Sequence, residues 1–331
     1  MRLRRVGRRL GRRLGRIVGL ALLALATPSY AAAQDESSLL LKDGFDAGRF
    51  APEGGLYYKD NAEQRAGLVT FQEKSVLDGR GALTLSVKPL CAKGARNCSE
   101  RAEVWEKPEV LASYDQTVWY GFAMRLDDPV PQDDARYVMA QWKRQITPGA
   151  EGDYSPFLAL RLFRGRLGVT VETDMIEVFP IGGAERPDGC LPGEALALNR
   201  RVARQTRALV ALQTGSTRAD YPAYFNACAP AIQVTHHAGL PPVRAGWIDF
   251  VFRSSPGPQG NGHIEIVANG LHVATIKGPV GHRGSGLGKK QYFKFGPYRA
   301  ANKGSWSISY DDFRRGPRCA DVIRNGQCPP E

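Results

Sequence analysis

The sequence predicts an all-β fold, a two-sheet antiparallel β-jelly roll of the concanavalin A-like sandwich type. Alternating or β-branched runs recur along most of the chain, and Gly, Pro, Asp or Asn residues bound most of them. Asn269 and Gly270 lie between two apolar runs, which is the strongest short-range signal for a hairpin. Only one stretch is typical of a helix. Strands this numerous with so little helix favour two packed antiparallel sheets.

The first residues of the chain are typical of an export signal. A run of arginines precedes a short apolar block, Ile17–Ala26, and small residues follow at Ala31–Ala33. The block is shorter than the roughly 20 residues that a membrane-spanning helix needs. We therefore predict a signal peptide at 1–33, a single domain at 34–331, no membrane span, and export to the periplasm or the medium.

The predicted leader also carries most of the positive charge. The whole chain has a formal net charge of +12, and removing the eight arginines of the leader, which has no acid, leaves about +4. A pI near 9.5 therefore does not indicate a basic surface over the whole domain. Nucleic acid is not an expected partner, and any attraction for anions must be local.

The six cysteines predict three structural disulfides. An even number in an exported chain indicates a disulfide framework, and the spacing favours sequential pairs, Cys91–Cys98, Cys190–Cys228 and Cys319–Cys328. Zinc binding would need closely spaced ligand pairs such as C-x-x-C, which the sequence lacks. No metal site is expected.

The strand-like segments follow one another along the chain with one interruption. In order they are "ALTLSVKPL", "TVWYGFAMRL", "RYVMAQWKRQ", "PFLALRLFRGRLGVTVET", "GWIDFVFRSS", "GHIEIVANGLHVATI", "QYFKFGPYRA" and "SWSISYDDF". The interruption spans about 181–245, and Gly193–Leu212 within it combines apolar spacing with good helix formers. We expect a disulfide-stapled, partly helical insertion over one face of the sandwich.

Three of the segments divide into an apolar side and a side rich in Arg, Gln, Lys and Tyr. Alternate residues of a strand share a face. The polar sets are Arg101, Glu103 and Trp105; Tyr137, Met139, Gln141 and Lys143; and Tyr292, Lys294, Gly296 and Tyr298. An ordinary solvated outer face would also be polar, but tyrosine and glutamine are unusual choices for solubility alone. The repeated mixture favours a binding or catalytic surface.

The same segments resemble motif strands of jelly-roll polysaccharide lyases. "SERAEVWE", "AQWK" and "YFKFGPYR" are similar to the R-(ST)-E-L-R, Q-(IV)-H and Y-F-K-A-G-x-Y strands of alginate lyases. The longer stretch from Gly246 to Arg299 more closely resembles the heparin lyase I and glucuronan lyase type. The resemblance implies β-elimination at a uronic acid, with an anionic polysaccharide as the partner. It covers most of the chain, from about Asp43 to Arg315.

The resemblance also implies roles for individual residues. Arg101 and Gln141 would neutralise the uronate carboxylate, and Tyr298 would transfer protons, helped by cations that stabilise negative charge on its oxygen. Lys294 and Arg299 would hold neighbouring carboxylates or sulfates. Further substrate contacts are expected from Glu103, Tyr292, Trp142 and His282.

One position departs from the alginate lyase pattern. Lys143 stands where that pattern has histidine, two places after the glutamine. A lysine neutralises a carboxylate and, with a lowered pKa, also acts as a base, so the proton-transfer role is open between Lys143 and Tyr298. A histidine could instead come from His236, His237 or His282, although each is equally consistent with a loop or surface position.

Other function classes fit the sequence less well. A non-catalytic carbohydrate-binding jelly roll is the main alternative, because Trp105, Trp119 and Trp142 would serve as aromatic platforms. A glycoside hydrolase of this fold commonly uses an E-x-D-x-x-E strand, and a serine hydrolase a G-x-S-x-G turn, and both patterns are absent from the sequence. We expect a monomer without a cofactor, although a structural Ca²⁺ ion would be compatible with this fold.

Overall fold

The computed structural model describes residues 39–61, 64–92, 95, 98–152, 154–198 and 204–330. The predicted signal peptide lies outside these residues and stays a prediction. In the part of the chain that the structure describes, no helix has the length and apolar character needed to cross a membrane.

Antiparallel strands and four short 3-10 turns make up the regular structure of the described residues. The strands are β1 (Leu41–Asp43), β2 (Leu56–Tyr58), β3 (Gly67–Gln72), β4 (Ala82–Val87), β5 (Ser99–Arg101), β6 (Val104–Glu106), β7 (Val118–Leu126), β8 (Tyr137–Ile146), β9 (Leu158–Phe163), β10 (Arg166–Asp174), β11 (Phe179–Pro180), β12 (Glu194–Ala197), β13 (Gln205–Leu212), β14 (Ala227–His236), β15 (Ile248–Ser255), β16 (Gly257–Ala268), β17 (Leu271–Val280), β18 (Leu287–Ala300) and β19 (Trp306–Gly316). The turns are Pro52–Gly54, Pro108–Val110, Arg218–Asp220 and Cys319–Asp321. The predicted all-β sandwich is confirmed.

The strands form two packed layers that one strand joins. The first layer runs β5 and β6, β18, β8, β9, β10, β13, and the second runs β17, β16, β15, β7, β19, β4, β3. The first residues of β14 pair with β12, and its last residues pair with β17. β14 therefore belongs to both layers.

Aromatic side chains fill the space between the layers. Phe293 of β18 packs against Phe122 of β7, with ring centroids 5.5 Å apart, and Trp142 of β8 packs against Phe252 of β15, at 4.6 Å. All four side chains are fully buried. Burying rings of this size contributes a large part of the hydrophobic stabilisation. The opposite side of β18 and β8 is left for polar residues.

The predicted helix at Gly193–Leu212 is wrong for the residues described. Glu194–Ala197 and Gln205–Leu212 are strands β12 and β13, which pair with each other and with β14 and β10. Residues 199–203 lie outside the described residues. Within the described part of 181–245, the helical content is the single turn Arg218–Asp220. Tertiary pairing overrides the helix propensity of this segment.

The three predicted disulfides are confirmed. Cys91–Cys98, Cys190–Cys228 and Cys319–Cys328 are each bonded. The second joins the loop before β12 to β14, where the two layers meet.

Candidate active site

The predicted polar residues meet on the side of the first layer that faces away from the core. Lys294 of β18 pairs with Trp105 of β6 and Gln141 of β8, and Tyr298 pairs with Arg101 of β5. Residues directly paired across antiparallel strands share a face. We call this surface, formed by Arg101, Trp105, Gln141, Lys143, Tyr292, Lys294 and Tyr298, the polar face.

The Glu103 carboxylate lies beneath the polar face and accepts three hydrogen bonds. The donors are Lys294 Nζ at 2.9 Å, Arg101 Nη1 at 3.4 Å, and Gln141 Nε2. Glu103 is 1% exposed and Lys294 is 2% exposed. The prediction that these two residues contact substrate is therefore wrong, and they instead position Arg101 and Gln141.

Lys294 is a buried ammonium with two stabilising neighbours. Besides the Glu103 ion pair, its Nζ lies 4.2 Å from the centroid of the Trp105 ring. Burial lowers the pKa of Lys294 to about 8; the Glu103 charge opposes this shift, while the Arg101 and Lys143 charges add to it. The last effect places Lys143 close to this group.

The Tyr298 ring lies between two guanidinium groups. Arg101 Cζ is 4.0 Å from the ring centroid, and Arg136 Cζ is 4.6 Å from it. Arg136 also donates to Ser99 Oγ at 2.8 Å and is exposed. Cations on a tyrosine ring are attracted to its π face and bring positive charge near its oxygen. The sequence analysis did not identify Arg136, which lies just before β8.

Lys143 and Tyr292 extend the polar face along the strands. They pair directly with each other, next to the Lys294–Gln141 pair, and both are half-buried. The Tyr292 ring stacks on Trp105, with centroids 5.4 Å apart. The predicted place of Tyr292 as a wall of the site agrees with this position.

Three predicted substrate contacts are wrong because the side chains are buried. Trp142 is fully buried among core rings, and Arg299, 1% exposed, binds Glu100 Oε2 at 2.6 Å. His282 is also 1% exposed, with Nε2 3.2 Å from the Ser155 carbonyl oxygen and Nδ1 3.5 Å from Asp174 Oδ1. The strand period itself places Trp142 and Arg299 opposite Gln141 and Tyr298.

The other histidines lie in the second layer or at its edge. His236 pairs with Ala274 of β17, and the His237 ring stacks on His272 at 3.9 Å. His272 and His263 both bind Glu265 of β16. Every histidine in the chain therefore has partners away from Tyr298, and Lys143 occupies the position that a histidine has in the alginate lyase pattern.

An additional group of arginines lies beside Tyr298. Tyr298 pairs with Val138, which pairs in turn with Arg161 of β9. Arg161 and Arg207 of β13 both bind the Glu172 carboxylate. We call Arg136, Arg161 and Arg207 the arginine cluster. A charged residue inside an apolar strand, as in "LALRLF", was the signal available in the sequence.

A metal site is not supported by the one candidate group among the described residues. Cys190, Glu194 and Cys228 bring ligand atoms within 4.8 Å of one another. The two cysteines form a disulfide, so they offer no thiolate to a metal.

Comparison with solved structures shows the same fold. An endo-β-1,4-glucuronan lyase from the fungus Trichoderma reesei aligns with a TM-score of 0.51 and 15% identity, over 86% of this chain and 97% of that one. The cellulose induced protein Cip1 aligns with a TM-score of 0.47 and 12% identity, over 87% and 100% of the two chains. A family 7 alginate lyase aligns with a TM-score of 0.38 and 12% identity, over 75% and 85%.

Sequence comparison assigns the family. No curated protein matches the chain significantly. The family model described as polysaccharide lyase matches residues 51–314, which is well over half of the chain and includes β2 to β18 with the whole polar face. The chain therefore belongs to the polysaccharide lyase family, and the protein is a polysaccharide lyase.

Proposed function

We propose that the enzyme cleaves a uronate-containing anionic polysaccharide by β-elimination, with Tyr298 as the proton-transfer residue. The observation that carries this proposal is the Tyr298 ring held between Arg101 and Arg136, on the same face as Gln141 and Lys143. A phenol in a cation-rich, partly buried place is suited to exchange protons with a sugar.

The reaction requires three contributions from the protein. The C5 proton is removed, the C4–C5 double bond forms, and the bond from C4 to the glycosidic oxygen breaks while that oxygen gains a proton. Negative charge develops on the uronate carboxylate as the C5 proton departs. Arg101 and Lys143 supply positive charge for it, and Gln141 supplies an amide whose orientation Glu103 fixes.

The roles of Tyr298 and Lys143 are separated by their neighbours. The Tyr298 ring has guanidinium groups on it, whereas Lys143 lies next to the buried Lys294 ammonium. We assign proton transfer to Tyr298 and carboxylate neutralisation to Lys143. Lys143→Arg is then expected to keep most of the activity, because arginine preserves the charge, while loss of activity in that variant would make Lys143 the base.

A glucuronan is the first substrate to test. The structure aligned at a TM-score of 0.51 is described as an endo-β-1,4-glucuronan lyase, and the resemblance of the segment Gly246 to Arg299 points the same way. Alginate and glycosaminoglycans carry the same carboxylate chemistry and belong in the same panel.

The decisive experiment measures ultraviolet absorbance of the unsaturated product across purified uronate polymers. Wild-type protein should generate it from at least one, and Tyr298→Phe should lower the rate by about 100-fold or more while still binding that polymer. Binding without product from any polymer would instead support a carbohydrate-binding protein. Tyr298→Phe with unchanged rate would move proton transfer to another residue.

We also propose that the enzyme acts outside the cytoplasm, as a monomer and without a cofactor. Three disulfides support an oxidising compartment. Dialysis against EDTA is expected to leave the rate unchanged, since the described charges at the site come from side chains. A rate loss that Ca²⁺ restores would reveal a required ion, and gel filtration reports the oligomeric state.

A further inference from the structure

The arginine cluster carries more positive charge than its acidic partner balances. Arg161 Nη2 and Arg207 Nε both approach Glu172 Oε1, at 3.3 Å and 2.5 Å. The side chains of Arg161 and Glu172 are 4% and 2% exposed, and Arg207 is 20% exposed. One buried carboxylate therefore serves two guanidinium groups.

Neighbouring groups do not remove this excess. Arg136 adds a third guanidinium that acts on Arg161, and the second acid nearby, Glu103, already serves Lys294 and Arg101. Burial lowers the pKa of Arg161 to about 9, and the charge of Arg207 acts in the same direction. Buried charge without a matching partner is costly, so an arrangement of this kind favours the arrival of an anion.

The cluster is adjacent to the proposed site of proton transfer. Arg207 is close enough to interact electrostatically with the Tyr298 and Tyr224 phenols. Between Tyr298 and Arg161 the paired residue is Val138, whose short side chain separates the two longer ones. Strands lie about 4.8 Å apart, so Tyr298 and Arg161 are roughly two strand spacings from each other. Tyr224 is 43% exposed and lies beside the arginines.

We propose that Arg136 and Arg207, supported from behind by Arg161, bind a second anionic group, a carboxylate or sulfate, on the sugar unit next to the one cleaved at Tyr298. This inference rests on the proposed β-elimination at that residue. It makes the preferred substrate a polymer with anionic groups on adjacent sugar units, rather than one that alternates uronate with neutral sugar.

The test measures binding in an inactive background. In Tyr298→Phe, calorimetry compares contiguous uronate oligomers with oligomers in which uronate alternates with a neutral sugar, and with sulfated and unsulfated forms of one oligomer. Contiguous anions should bind more tightly, and adding Arg207→Gln should weaken that binding by roughly 10- to 100-fold while leaving the alternating oligomer nearly unchanged. The sulfated pair separates the two ligand chemistries.

Arg207→Gln is expected to fold because it leaves Arg161 and Glu172 as a one-to-one pair. Arg136→Gln, at an exposed position, is the second variant, and Arg244→Gln is the control, since Arg244 is exposed and lies beside Asp128. In the active enzyme the first two should raise KM more than they lower kcat.

Equal affinity for contiguous and alternating oligomers, or no effect of Arg207→Gln and Arg136→Gln, would overturn the inference. Because binding is measured without turnover, it is decided independently of whether any polymer yields unsaturated product.

Discussion

At the scale of single residues, the Glu103 carboxylate determines which groups of the site can reach a substrate. It draws Lys294 beneath the surface and holds Arg101 and Gln141 by their nitrogen atoms. Arg101 then contacts Tyr298. A buried acid of this kind contributes to catalysis through the residues that it orients.

Glu103→Gln should therefore impair both folding and activity. It leaves the Lys294 ammonium buried without an anion, which is expected to cost about 3–5 kcal/mol of unfolding free energy in urea denaturation. The double variant Glu103→Leu with Lys294→Met should recover much of the stability but not the rate, because Arg101 and Gln141 stay unoriented. Recovery of the rate in the double variant would show that Glu103 has no positioning role.

The lowered pKa of Lys294 predicts a pH dependence. The unfolded chain, in which the lysine titrates near 10.5, binds more protons than the folded chain between pH 8 and 10.5. The contribution of Lys294 to stability therefore rises across that window, while the ion pair with Glu103 is lost. We expect kcat to fall above about pH 8.

Lys294→Arg tests this assignment, since arginine stays charged. The alkaline limb of kcat should move to higher pH in this variant and stay in place in Lys143→Arg. Lys294→Met should lose the rise in stability between pH 8 and 10.5, measured by urea unfolding. An unchanged alkaline limb in Lys294→Arg would assign it to another group.

The residues that sequence reasoning brought together are those for which the strand period is sufficient. Arg101, Gln141 and Tyr298 follow from a two-residue alternation within single segments. Arg161 and Arg207 could not be placed beside Tyr298, because that depends on the register of β8, β9, β10 and β13, which pair over long sequence separations. Met139 was assigned to the polar side, but a register irregularity in β8 turns it into the core.

At the scale of elements, β18 depends on an irregularity at Gly296. The pairing with β8 shifts between Phe295 and Tyr298, and Gly296 has a φ of +126°. A Cβ atom there would lie 2.0 Å from the Ala102 carbonyl oxygen of the neighbouring segment. The extra residue brings Tyr298 opposite Arg101.

Gly296→Ala should accordingly disturb the site as well as the fold. Both the backbone conformation and the clash oppose a side chain, so we expect a loss of about 2–5 kcal/mol in unfolding free energy and a large loss of rate. Gly304→Ala is the matched control, because nothing lies within 4 Å of a Cβ atom there. Equal stability of the two variants would contradict this account of β18.

At the scale of the whole molecule, the disulfides differ in the length of chain that they close. Cys190–Cys228 spans 38 residues, whereas Cys91–Cys98 spans 7 and Cys319–Cys328 spans 9. Constraint of the unfolded chain grows with loop length. The pairing could be predicted from spacing, but not that the longest loop ends where the two layers join.

Replacing both cysteines of a pair by alanine should reveal this difference. The Cys190–Cys228 variant is expected to lose about 4 kcal/mol of unfolding free energy and the Cys91–Cys98 variant about 2 kcal/mol, measured by chemical denaturation under non-reducing conditions. A larger loss in the Cys91–Cys98 variant would show that native contacts, rather than loop length, set the order.

The membership of β14 in both layers bears on how the protein opens. Its early residues are hydrogen-bonded to β12 and its late residues to β17, so separation of the layers must break one of these pairings. Amide protons on both sides of the strand should then exchange with solvent through the same rare opening. The two layers would behave as a single cooperative unit, and partial unfolding would have to begin at the edges farthest from β14.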